Sequence, residues 1–187
     1  MRAVSRAAEG FDRRAFTVSE VLRMQQAGII SDEERYELIE GEIALMQAKG
    51  PVHETLKSAL TYHVVRALPD TLWFGVEATL YLSDDTFVEP DIVVYPREFR
   101  TNGPKGADIL LAIEVSASSL DYDRGFKAQL YAKHRIREYW VVDAFNRTTY
   151  QFSEPQSKNW RRRVERGPSE MLTHSSLPGF SIRLSDY

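Results

Sequence analysis

Glu89–Tyr95, EPDIVVY, and Leu110–Ala117, LLAIEVSA, decide the fold between them. Both runs are almost continuously apolar, as expected of central strands covered on both faces. Each nevertheless carries a carboxylate. Glu114 lies inside the run from Ile109 to Val115 and is expected to be buried, where an unpaired charge is costly and must be compensated. Asp91 follows Pro90, whose ring fixes the backbone and removes a ladder donor, so Asp91 belongs where a strand begins or bends. Side chains at such places face clefts.

Working outward, LWFGVEATLYL (72–82) precedes these two runs as a further strand signal, and REYWVVDA (137–144) and TTYQFS (148–153) follow as a strand pair around a turn at Phe145-Asn146-Arg147. SLPGFSIRL (176–184) supplies a closing strand near the C-terminus. Helical signals lie between them. Thr17 and Glu20 have the spacing of a capping box, with Phe16 as its staple and Gly28 as the stop. Gly50-Pro51 starts a long helix with the apolar stripe Val52, Leu56, Ala59, Leu60, Val64 and Leu68. RYELIEGEIALM (35–46) reads as two short strands around Glu40-Gly41, with Tyr36, Leu38, Ile43 and Leu45 inward. The order defines an α/β (α+β) protein with a central mixed β-sheet flanked by helices.

The segment DYDRGFKAQLYAKH (121–134) reads as a helix that follows the glutamate strand. Asp123, Lys127, Tyr131 and His134 recur on one side of it, while Phe126 and Leu130 take a neighbouring, core-facing side. In the strand itself, alternation puts Glu114 on the same face as Ala112 and Ser116. Two carboxylates and a lysine suit phosphodiester hydrolysis, because Mg²⁺ (or Mn²⁺) takes hard oxygen ligands and retains waters, one of which can become the nucleophile. An ammonium near that water orients it, lowers its pKa or balances charge growing on the phosphate. Each residue also has a plain structural reading: Asp91 as a turn aspartate, Glu114 and Lys127 as a stabilising ion pair.

The 187-residue chain is long enough for one sizeable core, so residues 16–187 are read as a single domain behind a flexible N-terminus, 1–15. With 24 basic and 27 acidic residues the formal charge is -3, and any nucleic-acid contact must be local. The run Arg161–Arg163 reads as a solvated loop or hairpin tip. The absence of cysteine excludes disulfides and thiolate metal sites. No run of about 18 apolar residues is present, and no hydrophobic leader, so the reading is of a cytoplasmic protein without membrane contact.

Taken together, YELIEGE, the histidine after the glycine-proline break (His53), EPDIVVY, AIEVSASS, DYDRGFKAQLYA, REYWVVD and LPGFSIRLSDY resemble the Uma2 or DUF820 family, within the PD-(D/E)XK restriction-endonuclease-like superfamily. The resemblance covers about residues 16 to 187. It implies a metal-dependent DNA endonuclease in which Asp91 and Glu114 hold Mg²⁺ or Mn²⁺. The superfamily's usual lysine would fall at Ser116, and the resemblance assigns it instead to Lys127. A homodimer is implied as well. Glu42, His53 and Tyr131 are candidates for supporting or substrate-contacting roles, against ordinary readings as an exposed strand residue, a first-turn helical histidine and a core tyrosine. The rival to the enzyme is a catalytically inactive binding or regulatory protein of the same fold.

Overall fold

The computed structural model describes residues 13–187. Its elements in order are α1 (Val18–Gln26), β1 (Tyr36–Ile39), β2 (Glu42–Leu45), α2 (Pro51–Ala67), β3 (Leu72–Val76), β4 (Leu80–Ser83), β5 (Thr86–Val88), β6 (Ile92–Pro96) and β7 (Leu111–Ser116). A helical stretch follows, α3 (Leu120–Tyr122), a π-helical turn over Asp123–Lys127, and α4 (Ala128–Lys133). The chain ends with β8 (Glu138–Asp143), β9 (Thr149–Gln156), β10 (Asn159–Arg166), β11 (Leu172–His174) and β12 (Leu177–Ile182). Two compact units result. One takes the described residues up to Met46 together with Ser83–Val88, and the other takes Gln47–Leu82 and Glu89–Tyr187.

In the smaller unit, α1 opens on the expected capping box: Glu20 N–H donates to Thr17 Oγ1 (3.3 Å) and Thr17 N–H donates to Glu20 Oε2 (3.0 Å). β1 and β2 form the expected antiparallel hairpin, with Glu40 (φ 49°) and Gly41 (φ 82°) supplying the left-handed turn. A Cβ on Gly41 would meet Ala15 Cβ at 2.5 Å, so the chain at residue 15 packs directly on the turn. The expected flexible end falls for the most part on residues outside the described ones. Val21, Ile30, Tyr36, Leu38 and Phe87 make this unit's core. Leu45, expected to point inward, is exposed.

The larger unit is built on a six-stranded sheet of order β10-β9-β8-β7-β6-β3. Only β7 and β8 pair in parallel, and the helical stretch 120–133 makes the crossover that such a pair requires. Leu56, Leu60 and Val64 of α2 pack with Ile92, Val94, Leu111, Ile113, Val115, Trp140 and Val142 on one face, joined by Leu177, Phe180 and Ile182 of β12. Alternation turns Asp91, Ala112, Glu114, Ser116 and Tyr139 toward the opposite face. Of the stripe read along α2, Val52 is exposed. Arg161–Arg163 prove to be exposed residues of the edge strand β10 rather than a loop or tip. No helix among the described residues is long and apolar enough to cross a membrane.

Candidate active site

Register brings the carboxylates together. In the antiparallel pair β6/β7, Ile92 faces Ile113, and one step further the same register sets Asp91 opposite Glu114. Side chains so opposed on one face have Cβ atoms about 4.5–5.5 Å apart. In the pair β3/β6, Val76 faces Ile92, so the next step sets Glu77 opposite Asp91, and Glu77 N–H donates to the Asp91 carbonyl (3.1 Å). Three acids thus form a row at one end of the sheet. Glu77 has φ 49°, which ends β3 there and divides the expected strand 72–82 in two.

Each acid is met by cations and donors. Asp91 is buried; its Oδ2 accepts from the Val115 backbone N–H (2.8 Å) and lies 3.1 Å from His53 Nε2, and its Oδ1 lies 2.6 Å from Lys49 Nζ. Glu114 Oε1 accepts from Lys127 Nζ (2.7 Å) and from the Tyr131 hydroxyl (2.9 Å), all three side chains being buried. Glu77 Oε1 accepts from Lys49 Nζ (2.5 Å) and Lys57 Nζ (2.7 Å). Lys57 also reaches Glu54 Oε2 (2.8 Å), and His53 Nδ1 lies 3.2 Å from Glu54 Oε1.

Of the residues singled out by sequence, the structure places Asp91, Glu114, Lys127, Tyr131 and His53 at this end of the sheet. Glu42 belongs to the smaller unit, where it is exposed and paired with Arg13 (2.9 Å). Ser116 donates instead to Asp123 Oδ2 (2.7 Å), fixing the start of the helical stretch. Phe126, expected to face the core, is 43% exposed and stacks on Tyr122, whereas Leu130 is buried. Lys49, Lys57 and Glu77 went unread in the sequence, where Lys49 precedes the Gly50-Pro51 break, Lys57 lies on the long helix beside Leu56 and Glu77 lies between Val76 and Ala78.

Electrostatics sets the titration of this row. Burial alone would raise the Asp91 carboxyl, but the hydrogen bond from His53 and the Lys49 ammonium outweigh it and hold Asp91 at about 2. Burial likewise opposes Glu77, which hydrogen bonds from Lys49 and Lys57 bring down to about 2. In the unfolded chain both titrate near pH 4. Their contribution is therefore complete above about pH 5 and is lost as the pH falls from about 4 toward about 2. The melting temperature is expected to drop through that window, and less steeply in Glu77→Gln. A Glu77→Gln profile that parallels wild type down to pH 2 would remove Glu77 from this account.

The donor set suits a hard divalent cation, since carboxylate oxygens dominate and soft ligands are absent. Among the described residues, no three His, Asp or Glu side chains already converge as a cation cage. Ammonium groups stand between the acids instead, which shows how strongly this row calls for positive charge.

The fold has a counterpart among solved structures. The crystal structure of "a putative nuclease belonging to DUF820" from Anabaena variabilis superimposes with a TM-score of 0.70, at 18% identity, covering 91% of this chain and 96% of that one. A mixed sheet flanked by helices, shared with that protein, is thus the class of fold. Residues 18–185 match the Uma2 family, described as "Putative restriction endonuclease", and the chain belongs to that family. No curated protein matches it.

Proposed function

We propose that this chain is a metal-dependent nuclease that hydrolyses phosphodiester bonds of DNA, with Asp91, Glu114 and Lys127 as its working groups. One observation carries the reading: register sets two carboxylates opposite each other on adjacent strands, and the Lys127 ammonium lies 2.7 Å from one of them. Asp91 and Glu114 would hold Mg²⁺ or Mn²⁺, which when bound supplies a Lewis acid and a water acidic enough to attack phosphorus. The remaining work belongs to the protein. The Val115 N–H and His53 orient the Asp91 carboxylate, and Tyr131 orients Glu114. Lys127 steadies Glu114 and balances negative charge growing on the phosphate oxygens.

A surface built from β9, β10 and the helical stretch that carries Lys127 favours a nucleic-acid strand. Arg124, three residues before Lys127, lies 3.7 Å from the centroid of the Tyr150 ring, and Arg163 lies over Phe152. These four residues, with Asp121 and Glu165, line a cleft of about 480 Å³. Tyr122 and Phe126 stack in the open beside it (centroids 5.5 Å apart). Exposed aromatic faces and arginines of this kind stack on bases and neutralise phosphates. The family match spans both units, which supports reading residues 16–187 as one domain. A homodimer would present two sites to the two strands of a duplex.

The test is hydrolysis of supercoiled plasmid and end-labelled oligonucleotides in Mg²⁺ or Mn²⁺ against EDTA. Cleavage is expected with either ion and none with EDTA. Intact DNA under every metal condition, from protein with a native circular dichroism spectrum, would overturn the reading.

A further inference from the structure

Lys49 stands just ahead of the Gly50-Pro51 start of α2, in a connecting segment without regular structure. Its Nζ lies 2.5 Å from Glu77 Oε1 and 2.6 Å from Asp91 Oδ1, so a single ammonium clamps two carboxylates from neighbouring positions in the row. Only 14% of the Lys49 side chain and 2% of the Asp91 side chain are exposed. Water screens such a pair poorly, and its contacts are correspondingly firm.

Charge governs how this clamp responds to a metal ion. Glu54, Glu77, Asp91 and Glu114 face Lys49, Lys57 and Lys127, with His53 between Glu54 and Asp91. Positive charge thus already meets every acid of the row. A doubly charged ion against Asp91 would sit within a few ångströms of the Lys49 ammonium, and like charges at that separation in a buried place repel strongly. Lys57 and Lys127 extend from helical segments, whereas Lys49 hangs from a loop; like Lys127 at Glu114, it touches an oxygen a cation would need.

We propose that Lys49 is the site's internal counter-cation, and that a divalent ion and the Lys49 ammonium exclude one another at Asp91, so that metal binding displaces Lys49. This rests on the reading of Asp91 as a metal ligand. Lys49 is a positioning residue that acts through Asp91: it keeps the acids of the row compensated and in place until the ion arrives, and it weakens the apparent affinity for that ion.

The experiment is calorimetric titration of Mn²⁺ into wild type, Lys49→Arg and Lys49→Met, with melting curves in EDTA and in Mn²⁺. Lys49→Met is expected to bind Mn²⁺ about tenfold or more tightly, because the competing like charge is gone. It should melt below wild type in EDTA and gain more from Mn²⁺, while Lys49→Arg stays close to wild type. A lysine with a merely structural role would show unchanged or weaker Mn²⁺ binding on replacement, and either result in a folded Lys49→Met protein overturns the proposal while leaving the nuclease reading in place. Failure of both wild type and Lys49→Met to bind Mn²⁺ overturns the two together. If Lys49→Met is unfolded in EDTA, recovery of the native spectrum on adding Mn²⁺ supports the displacement, and no recovery refutes it.

Discussion

Asp91→Asn is expected to lower metal-dependent cleavage by about a thousandfold or more, roughly 4 kcal/mol in the barrier, with the fold intact. The replacement keeps the shape of the side chain, and its carbonyl oxygen still accepts from the Val115 N–H. What it removes is the negative charge. That charge is the property a hard cation uses, and Asp91 is held ionised by His53 and Lys49 at any pH above about 2. The cost to stability is expected to be about 1.5–3 kcal/mol, the range for a hydrogen bond to a charged group, because Glu77 still holds Lys49. Single-turnover cleavage of a labelled oligonucleotide, with a circular dichroism melt of the same preparation, separates the two effects. Cleavage within a few-fold of wild type would take Asp91 out of the chemistry, and Glu114→Gln tests the partner acid in the same way.

Much of this arrangement was legible in the residues, and the reasons are particular. Pro90 marks the point where β6 begins, and Glu114 stands out because nothing else in Ile109–Val115 is polar. The resemblance pointed to Lys127, which lies one turn before Tyr131 on the helical stretch after that strand, and both side chains reach Glu114 Oε1. Phe126 was misread through helix geometry. The expectation that it joins Leu130 assumes a uniform α-helical step, but the turn Asp123–Lys127 is π-helical, and its wider winding swings Phe126 into the open. Glu77 was hidden because its place depends on a left-handed backbone conformation that no neighbouring glycine announces. Lys49 and Lys57 were hidden because a buried lysine differs from a solvated one only in partners that are distant in sequence: Glu77 lies 28 residues beyond Lys49 and 20 beyond Lys57.

The Arg161–Arg163 run shows the same limit from the other side. Three consecutive arginines suggest a loop tip, yet they continue a strand whose register with β9 sets Arg163 against Phe152 and Arg162 against Ser153. Local charge outweighed strand propensity in the reading, while pairing with β9 decided the structure. Their exposure on an edge strand also has a physical use, since charged side chains there discourage pairing with a further strand.

Lys127→Met is expected to be among the most destabilising single replacements in the larger unit, at about 3–5 kcal/mol, because it leaves the buried Glu114 carboxylate without its ammonium. The Tyr131 hydroxyl remains, but a neutral donor offsets only part of the charge. Glu114→Gln removes the charge at the other end and leaves Lys127 buried beside an amide. Combining the two changes eliminates both charges, so the double variant is expected to be more stable than the sum of the single losses predicts, with a coupling of about 1–3 kcal/mol. Urea unfolding of the four proteins at neutral pH measures that coupling directly. Additive losses would mean that Glu114 and Lys127 contribute independently, and the pair would then be no more than two groups that happen to touch. Cleavage should behave differently from stability across the same four proteins. Stability returns in part when both charges are gone, but hydrolysis does not, because a neutral glutamine and a methionine restore the packing of the sheet end without restoring a ligand or a cation. A double variant that regained activity along with stability would show that these residues support the fold and that the chemistry lies elsewhere.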